Sequence, residues 1–153
     1  MALKPDRIEL QTDVSFFMNS TATRGGVASV SPASTGVGVA MDDANAVVVY
    51  AAVASGSKPV GVLLNDVVNL DLTRQHINWH KDEVQQGGKV TLLQVGQVTT
   101  NLVSGTPDPG DVAYVAASGY VGNDPDDGNN APVGRFLSAK DSDGYAKVAV
   151  NIA

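Results

Sequence analysis

Two histidines four residues apart, His76 and His80, are the first place to look for chemistry in this chain. On a helix that spacing puts both imidazoles on one face, where neutral ring nitrogens can bind zinc. A zinc site needs further protein ligands. The nearest carboxylates are Asp82 and Glu83, and no His-Glu-x-x-His arrangement is present. The pair therefore reads as surface or interface histidines beside Trp79. Two acidic runs, Asp124-Pro125-Asp126-Asp127-Gly128 and Asp141-Ser142-Asp143-Gly144, look like fragments of calcium loops, because hard cations want clustered carboxylates. Neither extends to a twelve-residue loop closed by a bidentate glutamate, and Asp-Gly is also what tight turns prefer. Turn chemistry is the expectation. Serines are plentiful, but none lies in Gly-x-Ser-x-Gly, and Gly36-Val37-Gly38 lacks both the phosphate-loop lysine and the dinucleotide fingerprint. The expectation is a protein that is not an enzyme, with no catalytic residue, no cofactor and no metal.

Charge and composition narrow the partners. Sixteen acidic residues against ten basic ones give a net charge of −6, with no cluster of cations, so direct nucleic-acid binding is not expected. No run of 18 apolar residues occurs, so no membrane-spanning helix is expected. The opening Met1–Arg7 lacks the apolar core of a signal peptide, which points to synthesis in the cytoplasm. There is no cysteine, so disulfides and thiolate chemistry are absent. A chain of 153 residues buries enough surface to fold without such staples.

The elements that must position any functional surface are strands. Short β-branched runs separated by glycine, proline and Asp/Asn clusters predict an all-β fold, a small β-barrel or β-sandwich with an extended N-terminal arm. Tyr145–Ile152 is the clearest strand, with Ala146, Val148, Val150 and Ile152 alternating against polar or small neighbours. Ala46–Ala54 is apolar nearly throughout and predicts a strand covered on both faces. Further strands are expected at Lys89–Val95, Gln97–Val103, Val112–Ala117 and Val133–Ser138. Turns are expected at Thr106–Asp111, Asn123–Asn130 and Asp141–Gly144.

Residues 1–24 behave differently. They show little periodicity and place Phe16, Phe17 and Met18 side by side, and glycine and serine crowd residues 25–38. One reading is an arm over 1–24, tethered flexibly to a core domain over 25–153, whose aromatics seek another surface. The other is a first helix or strand docked on the chain's own core. Leu72–Val84, which holds Trp79, is either a short helix or an irregular crossing between strands. A faint echo pairs Gly25-Gly26-Val27 with Gly87–Val90, Val49–Ala51 with Ala113–Val115, and Pro59-Val60-Gly61 with Pro132-Val133-Gly134, hinting at two related halves.

Taken in order, Gly87–Val90, Gly110–Val115, Gly119-Tyr120-Val121, Pro132–Leu137 and Ala146–Ile152 resemble the capsid decoration, or cement, proteins of tailed bacteriophages. The likeness is one of pattern, strongest over 60–130. It implies a structural virion protein, made in the host cytoplasm, that binds the outer surface of a phage head and stabilises the lattice against internal pressure. It also implies a homotrimer whose partner is the major capsid protein. Under that resemblance the partner-binding candidates are Phe16, Phe17 and Met18 on the arm, and Trp79, which equally well fills the monomer's interior. Two other readings stand beside it: a small ligand- or carbohydrate-binding β-module of a phage structural protein, and a trimeric β-fold hydrolase with its site between subunits.

Overall fold

Leu92 and Leu93 are consecutive residues, and both are fully buried. Successive side chains in a strand point to opposite faces, so this strand must have an apolar layer on each side. The computed structural model, which describes residues 2–30, 47–66 and 83–152, shows how. Among the described residues the strands are β1 (Ile8–Met18), β2 (Ala22–Thr23), β3 (Val27–Val30), β4 (Val47–Val49), β5 (Pro59–Asp66) and β6 (Glu83–Val84), then β7 (Lys89–Thr100), β8 (Val112–Val115), β9 (Val121–Gly122), β10 (Pro132–Phe136) and β11 (Ala146–Asn151). The all-β expectation holds.

Nine of these strands form one mixed sheet in the order β1-β4-β3-β5-β7-β11-β10-β8-β9, and β1 also pairs with β7. The pairings β1–β4–β3–β5–β7–β1 thus close a circuit. β2 and β6 form a separate two-stranded ladder. β7 carries β1 along one edge, Ile8 opposite Gln97 through Phe17 opposite Lys89. Its other edge is shared, by β5 over Val90–Leu93 and by β11 over Val95–Thr100.

β3, β5 and β7 form a wall between two cores. Val27, Val62, Leu64 and Leu93 face the first, which is completed by residues of β8 to β11 around Phe136. Ala28, Leu63, Val90 and Leu92 face the second, together with Met18 and Val48. Burying each of the larger side chains contributes about 1.5–3 kcal/mol.

Two glycines permit contacts that a side chain would forbid. At Gly96 a Cβ would lie 2.0 Å from the Ile8 carbonyl oxygen, where β1 crosses the handover from β5 to β11. At Gly119, with φ +79°, a Cβ would lie 2.5 Å from Cγ of Tyr50. The Tyr50 hydroxyl donates to the Thr23 carbonyl and accepts from the Gly26 N–H at 3.0 Å. Ala51 O accepts from Ser118 N at 2.8 Å, so the β4 end is fixed to the turn before β9.

Several expectations change. The strands expected at Lys89–Val95 and Gln97–Val103 fuse into one that ends at Thr100, since Gly96 continues the ladder instead of ending it. Ala46–Ala54 holds strand only over Val47–Val49; the chain then turns, with Ala54 O accepting from Ser57, and Val53 is 69% exposed. Of the glycine- and serine-rich stretch, residues 25–29 are buried; a Cβ at Gly26 would lie 2.7 Å from Cζ of Tyr50, and one at Gly25 2.7 Å from Oγ1 of Thr100. The echoed segments fall on β3 and β7, β4 and β8, and β5 and β10. They pair differently: β8 pairs with β10, whereas β4 pairs with β1 and β3. Among the described residues no shared unit results. The predicted alternation of Ala146, Val148 and Val150 is present as buried residues of β11.

The acidic turns are capped by their own carboxylates. Asp141 Oδ1 accepts from the Tyr145 and Asp143 N–H groups, each at 2.9 Å, and Asp111 Oδ2 accepts from Asp108 N at 2.9 Å and from Asn123 Nδ2 at 3.2 Å. These bonds, Tyr145 first for Asp141 and Asp108 first for Asp111, hold both carboxyls below their ordinary value of 3.8. Such groups stabilise the fold above the unfolded-state value and stop doing so as pH falls through the folded one. The melting temperature is therefore expected to be flat near neutrality and to drop below pH 3.8, with a shallower drop in Asp141→Ala; calorimetry across pH checks this. Gly119→Ala combines a disfavoured φ with overpacking and should cost about 2–4 kcal/mol, lowering Tm by roughly 5–15 °C. Gly110→Ala, at φ +97° with open space around it, should lose much less.

Candidate interaction surface

Residues 2–18 run antiparallel to β7 as a strap fastened at both ends. At the first end Leu3 is buried in the first core and bridges to Thr100, Lys4 N donates to Thr99 O at 2.9 Å, and Asn101 N donates to Ala2 O at 3.0 Å. The Lys4 ammonium lies 4.4 Å from the Tyr145 ring centre, within cation–π range. At the second end Met18 is fully buried in the second core, and its N–H and carbonyl bond to Gly88 O and Gly87 N at 3.0 and 2.7 Å. Phe17 is buried beside it, with the Lys89 ammonium 5.5 Å from its ring centre.

Between these anchors the strap bulges. Its register against β7 shifts between Glu9 and Gln11, between Gln11 and Thr12, and between Asp13 and Phe16. A local cause is visible for the last shift. The Asp13 carboxylate accepts from Ser15 N at 2.7 Å and from Ser15 Oγ, an Asx-type turn that competes with the ladder. The outcome is an outward display of apolar side chains. Ile8 is 48% exposed, Leu10 75% and Val14 50%. Arg7 and Glu9 form an ion pair on the same stretch. β4 meets β1 only at Phe17 and Met18, so among the described residues no second strand lies beside β1 from Ile8 to Ser15.

The partner-binding candidates are thus not equivalent. Phe17 and Met18 are anchors inside the chain's own core, and Phe16 is half-buried against the second core. Trp79, His76 and His80 lie outside the described residues, as does most of Leu72–Val84. Only Glu83 and Val84 of that segment are described, as β6. The residues that sequence reasoning passed over are Ile8, Leu10 and Val14. Their signal was present, three apolar residues in a polar stretch without strict alternation.

Two further depressions are lined by described residues. One is polar and bordered by Ser104, Thr106, Asn123, Asp124 and Asn130, with Asn130 Nδ2 donating to Asp124 O at 3.0 Å. The other is apolar, bordered by Val30, Val49, Ala52, Val53 and Lys58. Asp124 Oδ1 accepts from Asp126 N at 2.9 Å, so this carboxylate caps its own turn. Among the described residues no three His, Cys, Asp or Glu side chains converge to hold a metal ion. Nor, among them, is any helix long and apolar enough to cross a membrane.

No curated protein matches the chain in sequence. A family model does, the structural cement protein of phages (E217 gp24/Pam3 gp6), and it matches residues 12–151. That span runs from the middle of the strap to the last residue of β11, so it takes in the wall and, apart from Leu3, the buried residues of both cores. The chain belongs to the phage structural cement proteins.

Proposed function

We propose that this capsid cement protein works as a homotrimer on the outer surface of the head, in contact with the major capsid protein. On this reading the five-strand circuit serves as a small barrel, and residues 1–24 supply a contact element that stays attached to it. The observation that carries the reading is the family match over residues 12–151. Exposed apolar side chains on a strap fixed at both ends are in keeping with it.

The mechanism follows from multivalency. A trimer seated where subunits meet touches several of them, and once one contact has formed the others form at high effective concentration. Displacing one head subunit then means breaking contacts that its neighbours share. Each interface can be modest and exchangeable while the summed resistance to outward pressure is large. Rigidity of the cement matters here, because a compliant body would stretch before it transmitted load. A wall packed on both faces supplies that rigidity, since close-packed interiors are poorly compressible.

The test is to add purified protein to expanded heads that lack it. Binding should saturate at a fixed stoichiometry and raise the temperature at which the heads release DNA, and light scattering of the free protein should give the mass of three chains. Heads that gain no protein at micromolar concentration would remove the reading.

A further inference from the structure

Resting on the homotrimer reading, we infer that the outer face of the sheet over β7, β11, β10 and β8 binds the acidic turn at residues 124–127 of a second copy. Directly opposed residues in antiparallel strands send their side chains to the same face. The pairs Ile8–Gln97, Gln97–Ala149, Ala149–Arg135 and Arg135–Val112 therefore line up as one row across five strands. The row faces away from the first core, because the chain neighbours Val98, Val148, Phe136 and Ala113 point into that core. Ile8 at one end is 48% exposed, Val112 at the other is 45% exposed, and Arg135 between them is exposed too. The chain passes outside the described residues between β3 and β4 and between β5 and β6, and none of these four strands pairs with β11, β10 or β8.

The occupant follows from charge. β7, β8, β10 and β11 contain no carboxylate, in a chain whose net charge is −6. Arg135 stands on this face with Lys147, which lies opposite Thr99 in the next row, and among the described residues neither has a carboxylate within ion-pair reach. The charges at the borders are already engaged. Lys4 lies over the Tyr145 ring, and the Asp111 and Asp141 carboxylates accept N–H groups of their own turns. The complementary surface is on the chain itself. Asp124, Asp126 and Asp127 are exposed in a turn that carries no cation. That turn is held in shape by Gly128 N to Pro125 O and Asn129 N to Asp126 O, each at 2.9 Å, so little ordering opposes docking. A twofold contact through the sheet face would set cations against cations, which opposes it. Face against turn joins unlike surfaces instead, and each copy then keeps one of the two free for a third. Head-to-tail contacts of this kind close into rings, and a ring of three is the trimer.

The experiment measures mass by light scattering over a range of concentration, for the wild type, Arg135→Glu, Lys58→Glu and Asp126→Asn/Asp127→Asn. Lys58 is an exposed cation away from the face, so its reversal changes the net charge as much as that of Arg135 and serves as the control. Asparagine tolerates the left-handed backbone of Asp126 and Asp127, at φ +46° and +51°, while removing their charge. Arg135→Glu and the turn variant should each need at least about tenfold more protein to reach the mass of three chains, while Lys58→Glu stays within about twofold. The turn variant is the sharper case, because a less acidic chain repels its copies less and would otherwise associate more readily. All variants should melt within a few degrees of the wild type, since the altered side chains are exposed. If either Arg135→Glu or the turn variant assembles like the wild type, the inference is overturned and the trimer reading stands. Wild-type protein with the mass of one chain removes the trimer reading, and the inference falls with it.

Discussion

Everything in this molecule leans on β7. Its twelve residues hydrogen-bond to β1 along one edge and to two different strands along the other, and its side chains enter both cores. Two apolar layers sharing one wall are a strong constraint. A residue on that wall cannot shift toward one core without loosening the other, so the position of β1 on one side is tied to the packing around Phe136 on the other. The close approach at Gly96 is where this tie is tightest, because β1, β7 and β11 meet there with no room for a Cβ.

Much of the second half was legible in the sequence. β11 alternates cleanly because one face meets the first core and the other does not, and β8 follows the same logic. The acidic turns were legible because Asp111 and Asp141 bond to N–H groups a few residues away, so both partners sit in one short window. The first half was harder for definite reasons. β1 hides its strand character because three register shifts break the period of two. β3 reads as a flexible tether because Gly25 and Gly26 look like linker, whereas Gly26 is small so that Tyr50 can pack against it. In β5 both faces are buried, so Val62, Leu63 and Leu64 show no alternation to detect.

The interaction surface was half legible for the same reason. Phe16, Phe17 and Met18 stand out as apolar residues in need of cover, and composition alone cannot say whose core provides it. Much of the cover for Met18 comes from Val84, Val90 and Leu92, 66 to 74 positions away in the chain, beyond any local window. Ile8, Leu10 and Val14 look unremarkable in sequence. They gain meaning only when the strap is seen to be fixed at both ends with these side chains exposed between the anchors.

The place of β11 also bears on how the protein comes to exist. It lies between β7 and β10, yet in chain order it follows every other described strand. Until residues 146–151 have been made, the β7 and β10 edges that β11 fills lack that strand, and the first core lacks Ala146, Val148 and Val150. Closure of that core thus waits for a strand made after the others it packs with, and a partly made chain carries unpaired edges whose association its net negative charge opposes.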